Sequence, residues 1–181
     1  MKKRLVVGIS GATGVIYGIR LLEVLKETGV ETHLVVTEPA RKTILRETSY
    51  SLEEVVGLAS FYYDIDDFDA PIASGSFRTD GMVVIPCSIK SLSAIANSFN
   101  VNLLIRAADV TLKEKRPLVL VVRETPLHKG HLELMLKVAE LGAVIMPPIP
   151  AFYTLPKTLE ELIDQFLRRL LDLFGLSSER P

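Results

Sequence analysis

Tryptophan is absent from this sequence of 181 residues, and cysteine occurs once, as Cys87. One thiol excludes an internal disulfide and a cysteine-rich metal site. An excess of either charge is missing too: 21 Lys and Arg face 22 Asp and Glu, for a formal charge of −1. Without a long basic run, non-specific nucleic-acid binding has no electrostatic support, and an anionic ligand must be held by a few placed cations. No apolar run approaches the length that crosses a bilayer. The basic start Met1-Lys2-Lys3-Arg4 leads into an apolar stretch too short for a secretory signal, and Gly8 breaks it. A cytoplasmic protein is the expectation.

What is present is ordinary for a globular chain: 48% hydrophobic and 24% charged residues, in a length that suits one domain over 1–181. Short apolar runs alternate with helical periods. Leu5–Ile9, Glu31–Val36, Met82–Ile85, Leu118–Val122 and Val144–Met146 read as strands, the third stopped by Pro86. Helices are expected over Val15 to about Thr28, Pro39–Glu47, Leu52–Ala59, Ile89–Ser98, Leu103–Lys113 with Asn102 as cap, His131–Leu141 and Leu159–Phe174. Tyr62–Phe77 has no clear period and reads as a loop. Strands apolar throughout and separated by helices imply an α/β fold, a single doubly wound, Rossmann-like parallel sheet with helices on both faces. Ligands in such sheets sit beyond the carboxyl ends of the strands, here Ser10–Gly14, Pro86–Ser91, Arg123–Leu127 and Pro147–Tyr153.

Gly8-Ile9-Ser10-Gly11-Ala12-Thr13-Gly14 follows a strand and opens a helix, so amide N–H groups and the helix dipole converge there on an anion. A tight turn with no ligand is the plainer alternative. The glycine spacing is not the dinucleotide fingerprint. A short-chain-dehydrogenase-like NAD(P) enzyme is nevertheless a rival reading, with Glu38 as ribose partner and Tyr153 and Lys157 in Tyr-x-x-x-Lys spacing. Pro156 opposes the helical turn that this chemistry needs. Ser88 and the amides after it form a second anion cradle, whereas Cys87 reads as a buried small hydrophobe, not a nucleophile.

Arg106 and Lys113, seven residues apart, share a helix face, with Asp109 placed to pair with Arg106. In the last helix Leu159, Leu162, Ile163, Phe166, Leu167, Leu170 and Leu173 form one apolar stripe. That stripe leaves Arg168 facing solvent and puts Arg169 at its border, where a cation needs a partner such as a bound phosphate. Arg123 and Glu124 end the most strand-like run, where a guanidinium can grip a cofactor and a carboxyl can move protons. These groups are expected to converge on one edge of the sheet.

Several motifs together resemble the UbiX-type flavin prenyltransferases of the flavin-binding HFCD-like superfamily: residues 8–14, 86–93, 106–110, 112–120, 122–128 and 142–148, with Ala151-Phe152-Tyr153 behind them. The resemblance runs from Lys3 to about Leu173. It implies transfer of a dimethylallyl group from dimethylallyl phosphate to N5 and C6 of reduced FMN, without a metal. The product, prenylated FMN, would pass to a UbiD-type decarboxylase, with a place in ubiquinone biosynthesis. A homo-oligomer, specifically a dodecamer with inter-subunit sites, is implied as well. Carried over by motif, Gly11, Ala12, Thr13, Thr37, Ser88, Ile89, Lys90, Ser91 and Arg123 would hold FMN. Lys113, Tyr153 and Arg169 would clasp the prenyl phosphate, helped by Thr13 and Arg106. Glu47, Arg106, Lys113 and Glu124 would be the catalytic groups, Glu124 carrying the proton for ring closure. The nearest alternative is a flavin-dependent cysteine-type decarboxylase of the same superfamily. Its Pro-x-Met-Asn element is Pro147-Pro148-Ile149-Pro150 here, without the asparagine that handles a carboxylate.

Overall fold

The apolar runs become the strands of one sheet in the computed structural model, which describes residues 2–176. The strands are β1 (Arg4–Ile9), β2 (Glu31–Val36), β3 (Phe61–Tyr63), β4 (Met82–Cys87), β5 (Leu118–Val122) and β6 (Val144–Ile145), in the order β3-β2-β1-β4-β5-β6. All pairings are parallel. The chain starts in the middle, winds out to β3, then crosses back to place β4 on the other side of β1. The topological switch point therefore lies between β1 and β4, where sheets of this order open a crevice.

The helices are α1 (Val15–Glu27), α2 (Glu38–Glu47), α3 (Leu52–Val56), α4 (Ile89–Ala96), α5 (Leu103–Lys113), α6 (Lys129–Glu140) and α7 (Leu159–Asp172). They cover both faces, because alternate strand residues point to opposite sides and both sets are apolar. On one face Val7, Val83 and Val121 pack against Ile19 and Leu22 of α1 and Phe166 and Leu170 of α7. On the other, Val6, Val84 and Leu120 pack against Leu92 of α4, Leu104 and Ala108 of α5 and Val138 of α6. Asn102 caps α5 as expected, accepting the Ile105 amide at 3.0 Å.

Four segments differ from expectation, the simplest being α3, which stops at Val56, three residues before Ala59. Tyr62 and Tyr63, expected in a loop, belong to the edge strand β3, and Pro71–Ala73 form a 3-10 turn in the same stretch. At three residues β3 is too short to show a period. Its entry is held by side chains instead: the Ser60 amide donates to Thr32 Oγ1 at 2.9 Å, and the Thr32 amide to Ser60 Oγ at 3.1 Å. Strand β4 does not stop at Pro86 but runs to Cys87. Proline has no N–H for the ladder, and the β4–β5 register shifts between Val84 and Cys87, which accommodates it. Helix α6 starts at Lys129, two residues early, because His128 caps it, its Nδ1 accepting the Gly130 amide at 3.0 Å.

His33, on β2, is 2% exposed. Its Nε2 lies 2.9 Å from Glu31 Oε1 and its Nδ1 2.8 Å from the Tyr63 hydroxyl. A carboxylate only accepts, so Nε2–H donates to Glu31 and Nδ1 accepts from Tyr63, which is the neutral imidazole. Burial holds its pKa below the ordinary 6.5 despite Glu31. The unfolded chain therefore takes up a proton that the folded chain refuses, and stability falls as pH drops below 6.5 through the lowered folded value. Thermal denaturation between pH 7.5 and 5 should show this slope, and His33→Phe should flatten it.

Candidate functional site

Above the switch point lies a cavity of about 730 Å³, the size of a small-molecule site. Its lining includes Gly11, Thr37, Ser88, Lys90 and Ser91, the apolar Ile65, Phe99, Val101 and Ile105, and the carboxylates Glu38 and Asp66. Thr37 caps α2, accepting the Ala40 amide at 3.3 Å, and Ser88 caps α4, accepting the Ser91 amide at 3.2 Å. Two helix N-termini thus meet at one cavity, a place that favours an anion. The amides of Gly11, Ile89 and Lys90 carry no hydrogen bond to another described residue. Gly11 is tight against α2: a Cβ there would collide with the Pro39 ring.

The N-terminus of α1 is different. The Gly14 amide donates to the Glu47 carboxylate at 2.8 Å, and no other side chain caps the helix. Glu47 therefore sits at the glycine turn and itself supplies the negative charge there. Thr13 is exposed on the same turn, and the Ala12 amide donates to the Ser10 carbonyl at 2.9 Å. Neither Ala12 nor Thr13 lines the cavity.

A second cavity of about 730 Å³ lies beside β6, between the segment after it and α7. Its lining includes Pro147, Tyr153, Gln165, Phe166, Arg168 and Arg169. Glu161, Gln165, Arg168 and Arg169 recur at helical spacing and form the stripe of α7 that faces it. Two expectations change here. Arg169 is not at the border of a buried face: its side chain is 74% exposed and lies 3.7 Å from Asp172. Arg168, expected to face solvent away from any site, lines the same cavity, so the helix face does not separate the two arginines. Tyr17, close beside Gly14, meets Phe166 edge-on at 5.3 Å between ring centres. That contact carries the packing from the glycine turn to the wall of the second cavity.

The remaining cations and carboxyls divide. The Arg123 amide donates to the Cys87 carbonyl at 3.1 Å, which fixes Arg123 at the carboxyl edge. Glu124, beside it, is exposed and accepts the Thr125 amide at 3.0 Å. Arg106 pairs with Asp109 at 3.4 Å, as expected, and donates from Nε to the Ala73 carbonyl. Lys113 ends α5 just before β5 and pairs with Glu114 at 2.7 Å. Because α5 runs against the strands, Lys113 lies at the edge opposite the glycine turn. Convergence on one sheet edge therefore does not occur within one chain. The sequence patterns point to none of Ser10, Tyr17, Gln165 and Arg168 as site residues. Only the i, i+4, i+7 spacing from Glu161 offered a signal, and only for the last two.

Residues 151–158 are irregular, so Tyr153 and Lys157 are not one helical turn apart. The dehydrogenase reading loses its catalytic pair. No cluster of metal-ligating side chains occurs among the described residues. Cys87 is fully buried, and burial pushes its thiol up to about 12. Native protein should therefore resist alkylation at pH 8 that denatured protein undergoes, and Cys87→Ala should retain turnover; mass spectrometry and a rate assay check both.

Comparison with known proteins shows the family. A family model described as Flavoprotein matches residues 1–168. The flavin prenyltransferase UbiX of Thauera aromatica is 61% identical over 173 residues, covering 96% of this chain and 89% of the relative. The solved structure of AnUbiX (PadA1) in complex with FMN and dimethylallyl pyrophosphate superposes with a TM-score of 0.95 at 49% identity, over 100% of this chain and 98% of that one. A dodecameric FMN-dependent UbiX-like decarboxylase from Escherichia coli O157:H7 gives 0.95 at 49% identity, over 98% of each chain.

Proposed function

Since the chain belongs to the Flavoprotein family and, within it, to the UbiX-type flavin prenyltransferases, we propose that its cavities serve reduced FMN and dimethylallyl phosphate. The enzyme transfers a dimethylallyl group to FMN. When bound, reduced FMN supplies the N5 nucleophile and the C6 position that closes the new ring. The observation that carries the site assignment is the meeting of the α2 and α4 N-termini, with unspent amides, over an apolar-walled cavity at the switch point.

The residues present fit a phosphorylated planar ligand. The free amides of Gly11 and Lys90 and the hydroxyls of Thr37 and Ser91 receive the flavin phosphate; Ser88, whose Oγ donates to Ser91 Oγ, and Ile89 complete the α4 turn. Ile65, Phe99 and Ile105 give apolar surface for a ring. Arg123, at the end of β5 beside Cys87, adds charge on the side of the Ser88 cap, opposite the glycine turn of Gly11, Ala12 and Thr13. Tyr153 and Arg169 hold the prenyl phosphate, with Arg168 as a further cation. Lys113 reaches this site from a neighbouring subunit, since its own chain keeps it at the far edge, and Arg106, on the same face of α5, comes with it. Their task is to stabilise charge that develops as phosphate departs, which is worth about 10²–10³ in turnover per donor. Glu124, exposed at the end of β5, takes the proton released on ring closure, and Glu47 orders the glycine turn.

The single sheet supports one flavoprotein domain. The exposed Ile149, Phe152, Leu155 and Leu159 around Tyr153 suit contact with copies of the chain, and we extend the dodecamer of the E. coli relative to this protein. No described helix is long and apolar enough to cross a membrane; a cytoplasmic site of action and delivery of the product to a UbiD-type decarboxylase complete the reading. The test is an anaerobic incubation with reduced FMN and either dimethylallyl phosphate or the diphosphate. Phosphate release matched by a heavier flavin in the mass spectrum is expected with the monophosphate. Phosphate release with flavin mass unchanged overturns the reading.

A further inference from the structure

The glycine turn and the α4 cap are distant in sequence yet wall one cavity, and a single buried hydroxyl fixes their spacing. Ser10 is completely buried. Its Oγ donates to the Pro86 carbonyl at 2.9 Å and accepts the Ser88 amide at 2.8 Å. The Ser10 amide also donates to the Pro86 carbonyl, at 3.2 Å. Three hydrogen bonds thus tie the end of β1 to the end of β4 around Cys87. The next residue after Ser10 is Gly11, and both Gly11 and Ser88 line the cavity. With the amides of Ser10 and Ser88 used in the tie, those of Gly11, Ile89 and Lys90 remain for a ligand.

We infer that Ser10 is a positioning residue of the flavin site: its hydroxyl holds the Gly11 turn and the Ser88 cap at the separation where their amides close on one phosphoryl group. This inference rests on the FMN reading above. A hydroxyl that merely filled the core would affect folding alone, with no preference among flavins. A hydroxyl that sets a phosphate cradle affects FMN and spares riboflavin, which shares the ring system and lacks the phosphate.

The experiment titrates FMN and riboflavin separately against wild type, Ser10→Ala and Ser10→Cys, following flavin fluorescence. Ser10→Ala should weaken FMN about tenfold, the loss of roughly one hydrogen bond, and leave riboflavin affinity unchanged. A thiol is a weak donor and acceptor, so Ser10→Cys should fall between; it decides the matter alone if the alanine variant does not fold. Equal weakening of both flavins, no change in either, or a full wild-type FMN preference in Ser10→Cys overturns the role of Ser10. If wild type itself shows no preference for FMN over riboflavin, the phosphate cradle is wrong and the role of Ser10 falls with it.

Discussion

Lys113→Ala and Arg169→Ala proteins each lose prenyl transfer by about 10²–10³, the cost of removing one donor to a developing charge, and subunits of the two assembled together recover activity. Lys113 ends α5, which packs on the face of the sheet holding Leu104 and Ala108. Arg169 belongs to α7, which packs on the face holding Phe166 and Leu170. One chain cannot bring both to one phosphate. Two chains can, if each site takes Lys113 from one subunit and Arg169 from another. Random co-assembly then leaves both residues intact in about a quarter of the sites of a closed symmetric ring of such contacts. Recovery to about a quarter of the wild-type rate per site, from two proteins that are each nearly inactive, is the expected reading of a phosphate-release assay on co-expressed subunits. Mixed oligomers of wild-type size with no recovery would place both cations on the same chain and remove the shared site.

The elements with long apolar periods were legible in the sequence. Central strands β1, β2, β4 and β5 are buried on both faces, so their runs stand out, and the helices between them end close to where caps and glycines place them. Edge strand β3 was not legible, because three residues joined by Ser60 and Thr32 side chains leave no period. The face of α7 was read only in part. More leucines are available than core positions: the helix buries Phe166, Leu167, Leu170 and Leu171, while Leu159 is 73% and Leu173 43% exposed. The buried face is thereby rotated, and Arg168 and Arg169 fall together on the cavity side.

The candidate site shows the same division. Local signals found the Ser88 cap, the glycine turn and the strand-end Arg123, because each is a short segment with its own geometry. The Lys113 assignment came from motif, and its place in the chain follows from topology: α5 returns against the strands to β5, so its C-terminus lies at the edge away from the ligand. The tie made by Ser10 depends on a partner at Pro86 and Ser88 that only the fold reveals.

Gly11→Ala should abolish tight flavin binding with a smaller effect on the fold. A Cβ at this position meets three atoms of Pro39: the ring Cβ in direct collision, and the backbone C and Cα at 3.3 and 3.4 Å. None belongs to a flexible side-chain end, and Pro39 is locked into the first turn of α2 just after the Thr37 cap. Relief requires the glycine turn and the α2 N-terminus to move apart, which takes the Gly11 amide and the Thr37 hydroxyl off a shared phosphate. Losing two hydrogen bonds to a charged group, at about 1.5–3 kcal/mol each, weakens FMN by a hundredfold or more. Overpacking costs the fold only about 1–3 kcal/mol. Gly29→Ala is the contrast. Gly29 closes α1 at φ +72 with nothing within 4 Å of the added methyl, so left-handed strain lowers stability by about 1 kcal/mol while FMN binding stays at the wild-type level. Paired calorimetric unfolding and FMN titration separate the two effects. Wild-type FMN affinity in Gly11→Ala would mean that the phosphate does not rest on this turn at all.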